Sequence, residues 1–317
     1  MRCLIAAVLL IVQGVVGAQE ARLRVIGSAQ DGGLPHAACT CERCEAARDD
    51  PSRRRSVASL ALIVGAEGEE KVFLVDATPD VRAQLDTLAD VRDAPEGRVD
   101  RAPVDGVLLT HAHIGHYTGL MFLGFEAVHT QGLPVWCTPK MAAFLRDNEP
   151  WAQLVRIGNI EIREIEPGTP FDVGGVEVEA LKVPHRDELS DTVGYIFRGD
   201  ARTVLYVPDT EPWRTWEVGL IDVIEREGVD VLLVDGSFYS PDELPGRPVA
   251  SIGHPLMTDT MDVLQPLVDA GTLEVLFTHL NHSNPALVPT SDARAEISRR
   301  GFGVVDESQE FPLDAIE

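Results

Sequence analysis

Apolar residues recur along the chain in short runs, and glycine or proline separates many of them. β-Branched and aliphatic residues dominate these runs, which is the pattern of buried or half-buried β-strands. We therefore predict strands over residues 23–26, 59–64, 72–75, 107–109, 135–137, 160–165, 176–181, 192–197, 203–207, 229–234 and 275–277.

Helical patterns fall between some of the predicted strands. They predict helices over residues 79–88, 141–146, 213–226, 258–270 and 290–299. The chain is rich in strands from about residue 160 to 207 and returns to strand–helix alternation afterwards. This order predicts an α/β protein with mixed β-sheets, helices on the outside and two similar halves packed back to back. No long polar linker interrupts residues 19–317, so we predict one domain there.

The N-terminus has the pattern of a secretory signal peptide. A charged Met1-Arg2 precedes an apolar run, and Val16-Gly17-Ala18 then offers small residues. We predict a signal peptide over residues 1–18 and a periplasmic or secreted protein. A membrane anchor that stays attached is the alternative interpretation.

The charge balance limits the classes of partner. Fifty-one acidic residues against 27 basic residues give a formal net charge of -24. Repulsion of this size disfavours nucleic acid and anionic membranes, so we expect a small-molecule substrate, no nucleic acid and no membrane after signal cleavage. No sequence feature sets an oligomeric state.

Histidine is concentrated at one strand end. His111, His113 and His116 directly follow the predicted strand over residues 107–109. Neutral imidazoles at this spacing suit a transition metal. Further candidate ligands follow other predicted strands, namely His185, Asp209 and His279. Their repeated position beyond strands predicts that they line one cleft.

Cysteine is also clustered. Cys39, Cys41 and Cys44 fall within six residues, where disulfides would strain the loop but one tetrahedral metal ion would be well served. Cys137 lies in a short apolar strand and is interpreted as a buried, unreactive thiol.

The histidine motif resembles the signature of the metallo-β-lactamase-fold superfamily, His-x-His-x-Asp-His. The resemblance continues in chain order through His185, Asp209 and His279. It implies an αββα sandwich of two mixed sheets with helices outside. It also implies one metal at His111, His113 and His185, a second at His116 and His279, and Asp209 as the bridge.

A narrower resemblance is to the coenzyme PQQ synthesis protein B group. It rests on residues 25–33, Cys39-x-Cys41-x-x-Cys44, and residues 76–80, 235–238 and 253–257. In related phosphodiesterases of phosphonate metabolism, a histidine three residues after the last active-site histidine completes a structural zinc site. That resemblance implies a site of Cys39, Cys41, Cys44 and His282, with His36 as the alternative fourth ligand.

One position departs from the superfamily signature. Gly115 stands where the motif has aspartate, so we expect either a single active-site metal or a weak second site. Gly115 should leave open the space of the missing carboxylate, and Tyr117 is a weak candidate to project there. Asp76 is a candidate to bind the metal-site backbone, and His254 is a candidate acid or substrate ligand. Asp31 carries no strong signal.

These residues favour a metal-dependent hydrolase. We expect a metal-bound hydroxide, oriented by Asp209, to attack an ester, lactone, phosphodiester or amide. The expected ions are one structural Zn²⁺ and one or two in the active site, with iron or manganese possible there. The alternatives are an iron-dependent oxygenase or accessory protein of pyrroloquinoline quinone synthesis and a non-catalytic metal-binding relative. Against the former, this chain keeps three motif histidines that the biosynthetic proteins usually alter.

Overall fold

The computed structural model describes residues 20–92, 94–243, 246 and 253–315. The predicted signal peptide, residues 1–18, lies outside the described residues. Within the described ranges, no helix is both long and apolar enough to cross a membrane.

The strands form two sheets of seven strands each within the described residues. In chain order they are β1 Ala21–Gly27, β2 Ser59–Val64, β3 Lys71–Val75, β4 Gly106–Leu108, β5 Leu133–Cys137, β6 Ile160–Glu164, β7 Phe171–Val173, β8 Val176–Val183, β9 Thr192–Arg198, β10 Thr203–Val207, β11 Val231–Asp235, β12 Glu274–Thr278, β13 Gly303–Val304 and β14 Glu310–Pro312. The first sheet has the order β14-β1-β2-β3-β4-β5-β6 and the second the order β13-β12-β11-β10-β9-β8-β7.

The two halves have the same internal pattern of strand directions. In the first sheet the pairs from β14 to β3 are antiparallel and those from β3 to β6 are parallel. In the second sheet the pairs from β7 to β10 are antiparallel and those from β10 to β13 are parallel. The prediction of two similar halves, each a mixed sheet, is therefore confirmed.

Alternation of side chains explains why continuous apolar runs fold as these strands. In β2, Leu60, Leu62 and Val64 pack into the core between the sheets, while Ala61 and Ile63 face a second core. The strand β11 divides its side chains in the same way between the central core and a third core. A strand with both faces buried needs apolar residues at every position, so period-two polarity is absent from these strands.

The helices cover the outer faces of the sandwich. They are α1 Glu42–Asp49, α2 Val81–Asp86, α3 Ile114–Tyr117, α4 Pro139–Asp147, α5 Trp151–Arg156, α6 Leu220–Glu227, α7 Met257–Asp269 and α8 Asp292–Arg299. Local signals set several ends. Thr138 caps α4 by accepting from the Met141 amide, and Ser291 caps α8. Gly228, at φ 62°, ends α6 in the left-handed conformation that glycine adopts readily.

One predicted helix is wrong in extent. Residues 213–226 are not one helix: Trp213–Thr215 forms a single 3-10 turn, and α6 begins only after Gly219. Trp216, at φ -72° and ψ 129°, is extended, and Gly219 lies inside the predicted helix, so the backbone leaves the helical conformation between the turn and α6. Trp213 and Trp216 still pack against each other, with ring centroids 5.3 Å apart, and their indole nitrogens donate to Thr260 and Thr210.

The strand directions bring several loops to one edge of the sandwich. In the first sheet, β1, β3 and β4 run the same way, so their carboxyl ends meet at one edge. In the second sheet, β8, β10, β11 and β12 also share a direction. The polar residues that follow these strands therefore converge.

Candidate metal centre

The candidate metal ligands lie just beyond these carboxyl ends. We call this group the histidine cluster; its members, taken from both sheets, are Asp31, His111, His113, His116, His185, Asp209 and His279. All but Asp31 were predicted from the sequence. All of them except Asp31 are buried.

The first half of the histidine cluster holds four ligand atoms around one point. His111 Nε2 lies 2.9 Å and His185 Nε2 lies 3.2 Å from His113 Nδ1. Asp209 Oδ2 lies 3.4 Å from His111 Nε2 and 3.2 Å from His185 Nε2. Ligands about 2.0–2.2 Å from a tetrahedral ion are roughly 3.4 Å apart, so these four residues fit a zinc-like ion.

The second half of the histidine cluster shares Asp209 with the first. Asp209 Oδ2 lies 3.8 Å from His116 Nε2 and 4.0 Å from His279 Nε2. Asp31 Oδ1 lies 3.5 Å and 3.9 Å from the same two nitrogens. Asp31 Oδ1 and both nitrogens are buried without a hydrogen-bond partner among the described residues. Unpaired buried polar atoms are costly, so their convergence fits a bound cation.

The space beside Gly115 is filled, which corrects the expectation of an open gap. A Cβ atom built on Gly115 would lie 2.0 Å from Asp31 Oδ1 and 2.9 Å from Asp31 Cα. Tyr117 does not project there; its ring packs against Phe144 and Trp151, with centroids 5.2 and 4.7 Å away. The structure therefore places a further carboxylate, from the loop after β1, beside His116 and His279.

Asp31 was not predicted to join the other ligands, because the sequence does not give the directions of the strands. Asp31 follows β1 at the same edge at which His111 follows β4, but the chain order alone does not show that β1 and β4 are parallel. The signal that was available is a strand end followed by an acidic residue, the same signal that singled out Asp209.

Polar groups hold the outward-facing nitrogens of several imidazoles. His116 Nδ1 lies 2.7 Å from Asp76 Oδ2, and His111 Nδ1 lies 3.0 Å from Thr110 Oγ1. His279 Nδ1 lies 3.0 Å from Ser237 Oγ. Such contacts fix the ring and direct the other nitrogen toward a metal. Asp76, predicted as a support of this kind, is fully buried and also accepts from the Thr110 amide at 2.8 Å.

Burial and neighbouring charges shift the pKa values of several groups in the histidine cluster. Burial and the neighbouring His116 hold the pKa of His111 well below its usual value, which leaves a neutral imidazole. Burial alone would raise the pKa of Asp209, but the surrounding imidazoles, led by His254 and His279, lower it well below its usual range. Burial alone would lower the pKa of His116, but Asp76 and Asp31 raise it well above the usual value. A metal ion would therefore compete with a proton at His116.

His254 stands at the edge of the histidine cluster. Its Nδ1 atom lies 2.8 Å from Asp235 Oδ2 and 3.2 Å from Asp209 Oδ1. Asp235 is fully buried and also accepts from the Thr210 and Ser237 amides. Asp235 thus fixes His254 and the loop that carries Asp209 at the same time.

The second predicted metal site is assembled as expected from its residues. We call Cys39, Cys41, Cys44 and His282 the cysteine cluster. The three sulfur atoms lie 3.6, 3.9 and 3.6 Å from His282 Nδ1. A tetrahedral zinc ion places sulfur and nitrogen ligands roughly 3.5–3.6 Å apart, so the donor set fits a closed zinc site. Within the described residues the four thiols outside the N-terminus form no disulfide.

His36 lies beside the cysteine cluster rather than in it. Its ring packs against that of His282, with centroids 4.5 Å apart, and its Nδ1 atom lies 3.0 Å from the Ala37 carbonyl oxygen. Of the two candidate fourth ligands, the structure brings His282 to the three thiols. Cys137 is buried in β5, away from both clusters.

The comparisons with known proteins agree with the fold. Residues 71–280 match the family model described as the beta-lactamase superfamily domain. A diphosphatase from the PhnP family shares the fold, with a TM-score of 0.62 at 19% identity over 92% of this chain and 97% of its own.

More similar proteins cover nearly the whole chain. Coenzyme PQQ synthesis protein B of Cupriavidus necator is 29% identical over 92% of this chain and 99% of its own length. The crystal structure of Zn²⁺-bound PqqB from Methylobacterium extorquens superposes with a TM-score of 0.74 at 25% identity, covering 92% of this chain and 99% of that chain. The chain therefore belongs to the beta-lactamase superfamily and, within it, resembles coenzyme PQQ synthesis protein B.

Proposed function

We propose that the protein is a metal-dependent hydrolase of a small ester, lactone, phosphodiester or amide. The observation that carries this proposal is the histidine cluster, in which the Asp209 carboxylate lies between two groups of converging imidazoles. A shared carboxylate between two ligand groups is the arrangement of centres that act on water and a substrate oxygen together.

The candidate ligands form two groups, each suited to one ion. His111, His113, His185 and Asp209 would hold one ion, and His116 and His279 would hold the second with Asp209 as the bridge. Zinc is the preferred ion on donor chemistry, with iron or manganese as alternatives. When bound, such an ion lowers the pKa of water toward neutrality and polarises a substrate oxygen.

The remaining chemistry belongs to side chains. Asp209 is buried and anionic, and its Oδ2 atom faces both ligand groups, so it can orient a water molecule between them. His254 is partly accessible, with an exposed side-chain fraction of 13%, and is held by Asp235. It is therefore placed to give a proton to a leaving group at the mouth of the site.

The test is turnover of model substrates by protein loaded in turn with zinc, manganese and iron(II). Suitable probes are p-nitrophenyl acetate, bis(p-nitrophenyl) phosphate, a homoserine lactone and a β-lactam. We expect hydrolysis of at least one probe and its loss in His111→Ala. His129→Asn is the matched control, because His129 lies outside the histidine cluster at φ 57°, a conformation that asparagine tolerates.

His254 has its own test within this assay. His254→Gln should lower kcat by about 100-fold with little change in KM, because a general acid contributes roughly 10²–10⁴ to the rate. Equal rates for this variant and the wild type would remove His254 from the proposal. Absence of turnover with any fully metal-loaded sample would overturn the hydrolase proposal itself.

A second candidate function is a step in the synthesis of pyrroloquinoline quinone. The observation that favours it is the 29% identity with coenzyme PQQ synthesis protein B over 92% of this chain. Its test is oxygen consumption by the iron(II)-loaded protein with a tyrosine-containing peptide. Peptide oxidation without hydrolysis of the model substrates would favour this function, and binding of metal without either activity would favour a non-catalytic relative.

A further inference from the structure

The loop that carries Asp31 is tied to the loop that carries His279. Ala29 bridges both Val57, before β2, and Leu280, after β12. The Gln30 amide donates to the Leu280 carbonyl at 3.0 Å, and the Leu280 amide donates to the Ser28 carbonyl at 2.9 Å. Two loops from different sheets thus form one short ladder, which sets Asp31 opposite His279.

Gly115 and Asp31 occupy complementary volumes. Any Cβ atom at position 115 would overlap the Asp31 carboxylate, with its nearest atoms at 2.0 and 2.8 Å. The superfamily signature has its aspartate at this very position, and here the carboxylate comes from the loop after β1. A side chain at position 115 and the observed placement of Asp31 exclude each other.

No hydrogen bond among the described residues explains the position of Asp31 Oδ1. Its Oδ1 atom is buried without a hydrogen bond and faces His116 Nε2 at 3.5 Å and His279 Nε2 at 3.9 Å. These separations are too long for hydrogen bonds but match neighbouring ligands of one ion, which lie roughly 3.0–4.2 Å apart at the usual bond lengths.

We propose that Asp31 is a ligand of the second active-site metal and replaces, from the loop after β1, the motif aspartate that Gly115 lacks. The inference rests on the metal centre of the proposed function and deepens it. It gives the second ion two carboxylates and two imidazoles: Asp31, Asp209, His116 and His279. A complete second site therefore follows, rather than a weak or missing one.

The test is a ligand exchange between the two positions, read by metal content and affinity. Metal equivalents are counted by elemental analysis, and dissociation constants are measured by competition with a chromophoric chelator. We expect three zinc equivalents in the wild type, one of them in the cysteine cluster. Asp31→Asn, which keeps the shape and removes the charge, should weaken one active-site equivalent by about 100-fold or more. Asp172→Asn is the control, since Asp172 is an exposed carboxylate on β7, outside the cluster and outside the loop that carries Asp31.

The exchange itself gives the sharper result. Asp31→Gly should lose the same equivalent, and Gly115→Asp alone should clash with Asp31 and bind no better. The double variant Asp31→Gly/Gly115→Asp should recover the equivalent to within about tenfold of the wild type. Retention of the zinc equivalent in the cysteine cluster shows that each variant is folded.

Two results would overturn the assignment. One is an Asp31→Asn variant that binds three equivalents with wild-type affinity. The other is a folded double variant that binds no more metal than Asp31→Gly. Both are independent of turnover, so a wild type that binds three ions without hydrolysing any probe would refute the hydrolase and leave the Asp31 ligand intact.

Discussion

The histidine cluster and the cysteine cluster differ in how their ligands are brought together. The histidine cluster collects side chains from the loops after β1, β4, β8, β10 and β12, and its depth depends on the packing of both sheets. The cysteine cluster takes three of its ligands from the segment Cys39–Cys44 and leaves Cys41 exposed.

The difference separates what each metal is expected to do for the protein. The sheets already fix the histidine cluster, so ions bound there would add chemistry to an existing frame. The segment around Cys39–Cys44 has only a small apolar core of its own, made of Leu34, Cys44 and Ala47. A metal bound there would replace the packing that the segment lacks.

The largest expected effect is on activity and comes from the histidine cluster. His113→Ala should lower kcat/KM by about 10³-fold or more, equivalent to about 4 kcal/mol, because it removes a ligand of the first ion. The melting temperature should stay close to that of the wild type, because the sheets hold the frame. The comparison fails if His113→Ala lowers the melting temperature as far as loss of the cysteine cluster does.

The reciprocal change is Cys41→Ser. It should remove one zinc equivalent and destabilise the segment Cys39–Asp49 by about 3 kcal/mol, a fraction of the roughly 10–16 kcal/mol that structural zinc gives to isolated zinc fingers. Hydrogen exchange of the amides in this segment measures the loss. Cys137→Ala is the control, since this buried thiol belongs to neither cluster and should leave the metal count unchanged. Unaltered exchange in Cys41→Ser would show that the metal is not structural.

A smaller effect is expected on the pH dependence of stability, through Glu307, which lies beside the loop that carries Asp31. Glu307 accepts from the Ser56 amide at 2.7 Å, and burial raises its pKa to about 7 from an unfolded value near 4.5. A raised folded pKa means that the stabilisation is complete below about pH 4.5 and is lost as the pH rises through 7. Glu307→Gln should therefore gain about 2–3 kcal/mol in free energy of unfolding, relative to the wild type, between pH 5 and 8.

Denaturant unfolding at saturating zinc across this pH range measures the difference between the two proteins. Glu69→Gln, an exposed carboxylate on a turn, is the control and should follow the wild type. A pH-independent difference between Glu307→Gln and the wild type would contradict the prediction.

The smallest effect tests the outer support of the histidine cluster. Asp76→Asn keeps the shape at a left-handed position, φ 69°, but weakens the contact that orients His116. Metal affinity should fall by about 10–100-fold, or about 1.4–2.7 kcal/mol. Chelator competition on the variant measures this, and an unchanged dissociation constant would show that His116 needs no such support.

The strands and most ligands were predictable because each depends on a local signal. Fully buried strands appear as apolar runs, and β2 and β10 have the predicted bounds. A residue that follows such a run is placed at a strand end, which is how His185, Asp209 and His279 were found. The roles of these residues as ligands stay predictions until metal is measured.

The missed features depend on contacts between distant segments. Asp31 is identified as a candidate ligand only from the direction of β1 relative to β4 and from its closeness to position 115. The sequence pattern shows neither of these. The short strands β7, β13 and β14 were missed for the same reason, since partner strands rather than their own sequence define them. The helix predicted over residues 213–226 failed because its helical pattern continued through Gly219, where the backbone is extended, at φ -59° and ψ 143°.

The Ala29 bridge has a consequence for motion. Ala29 pairs with both the segment before β2 and the segment after β12, and so links the two sheets at the edge where the ligands meet. Sliding of one sheet over the other would have to break the hydrogen bonds of this bridge. Motions that admit a substrate should therefore occur in loops other than the ones joined by this bridge. The amides of Gln30 and Leu280 should then be among the last at this edge to exchange with solvent.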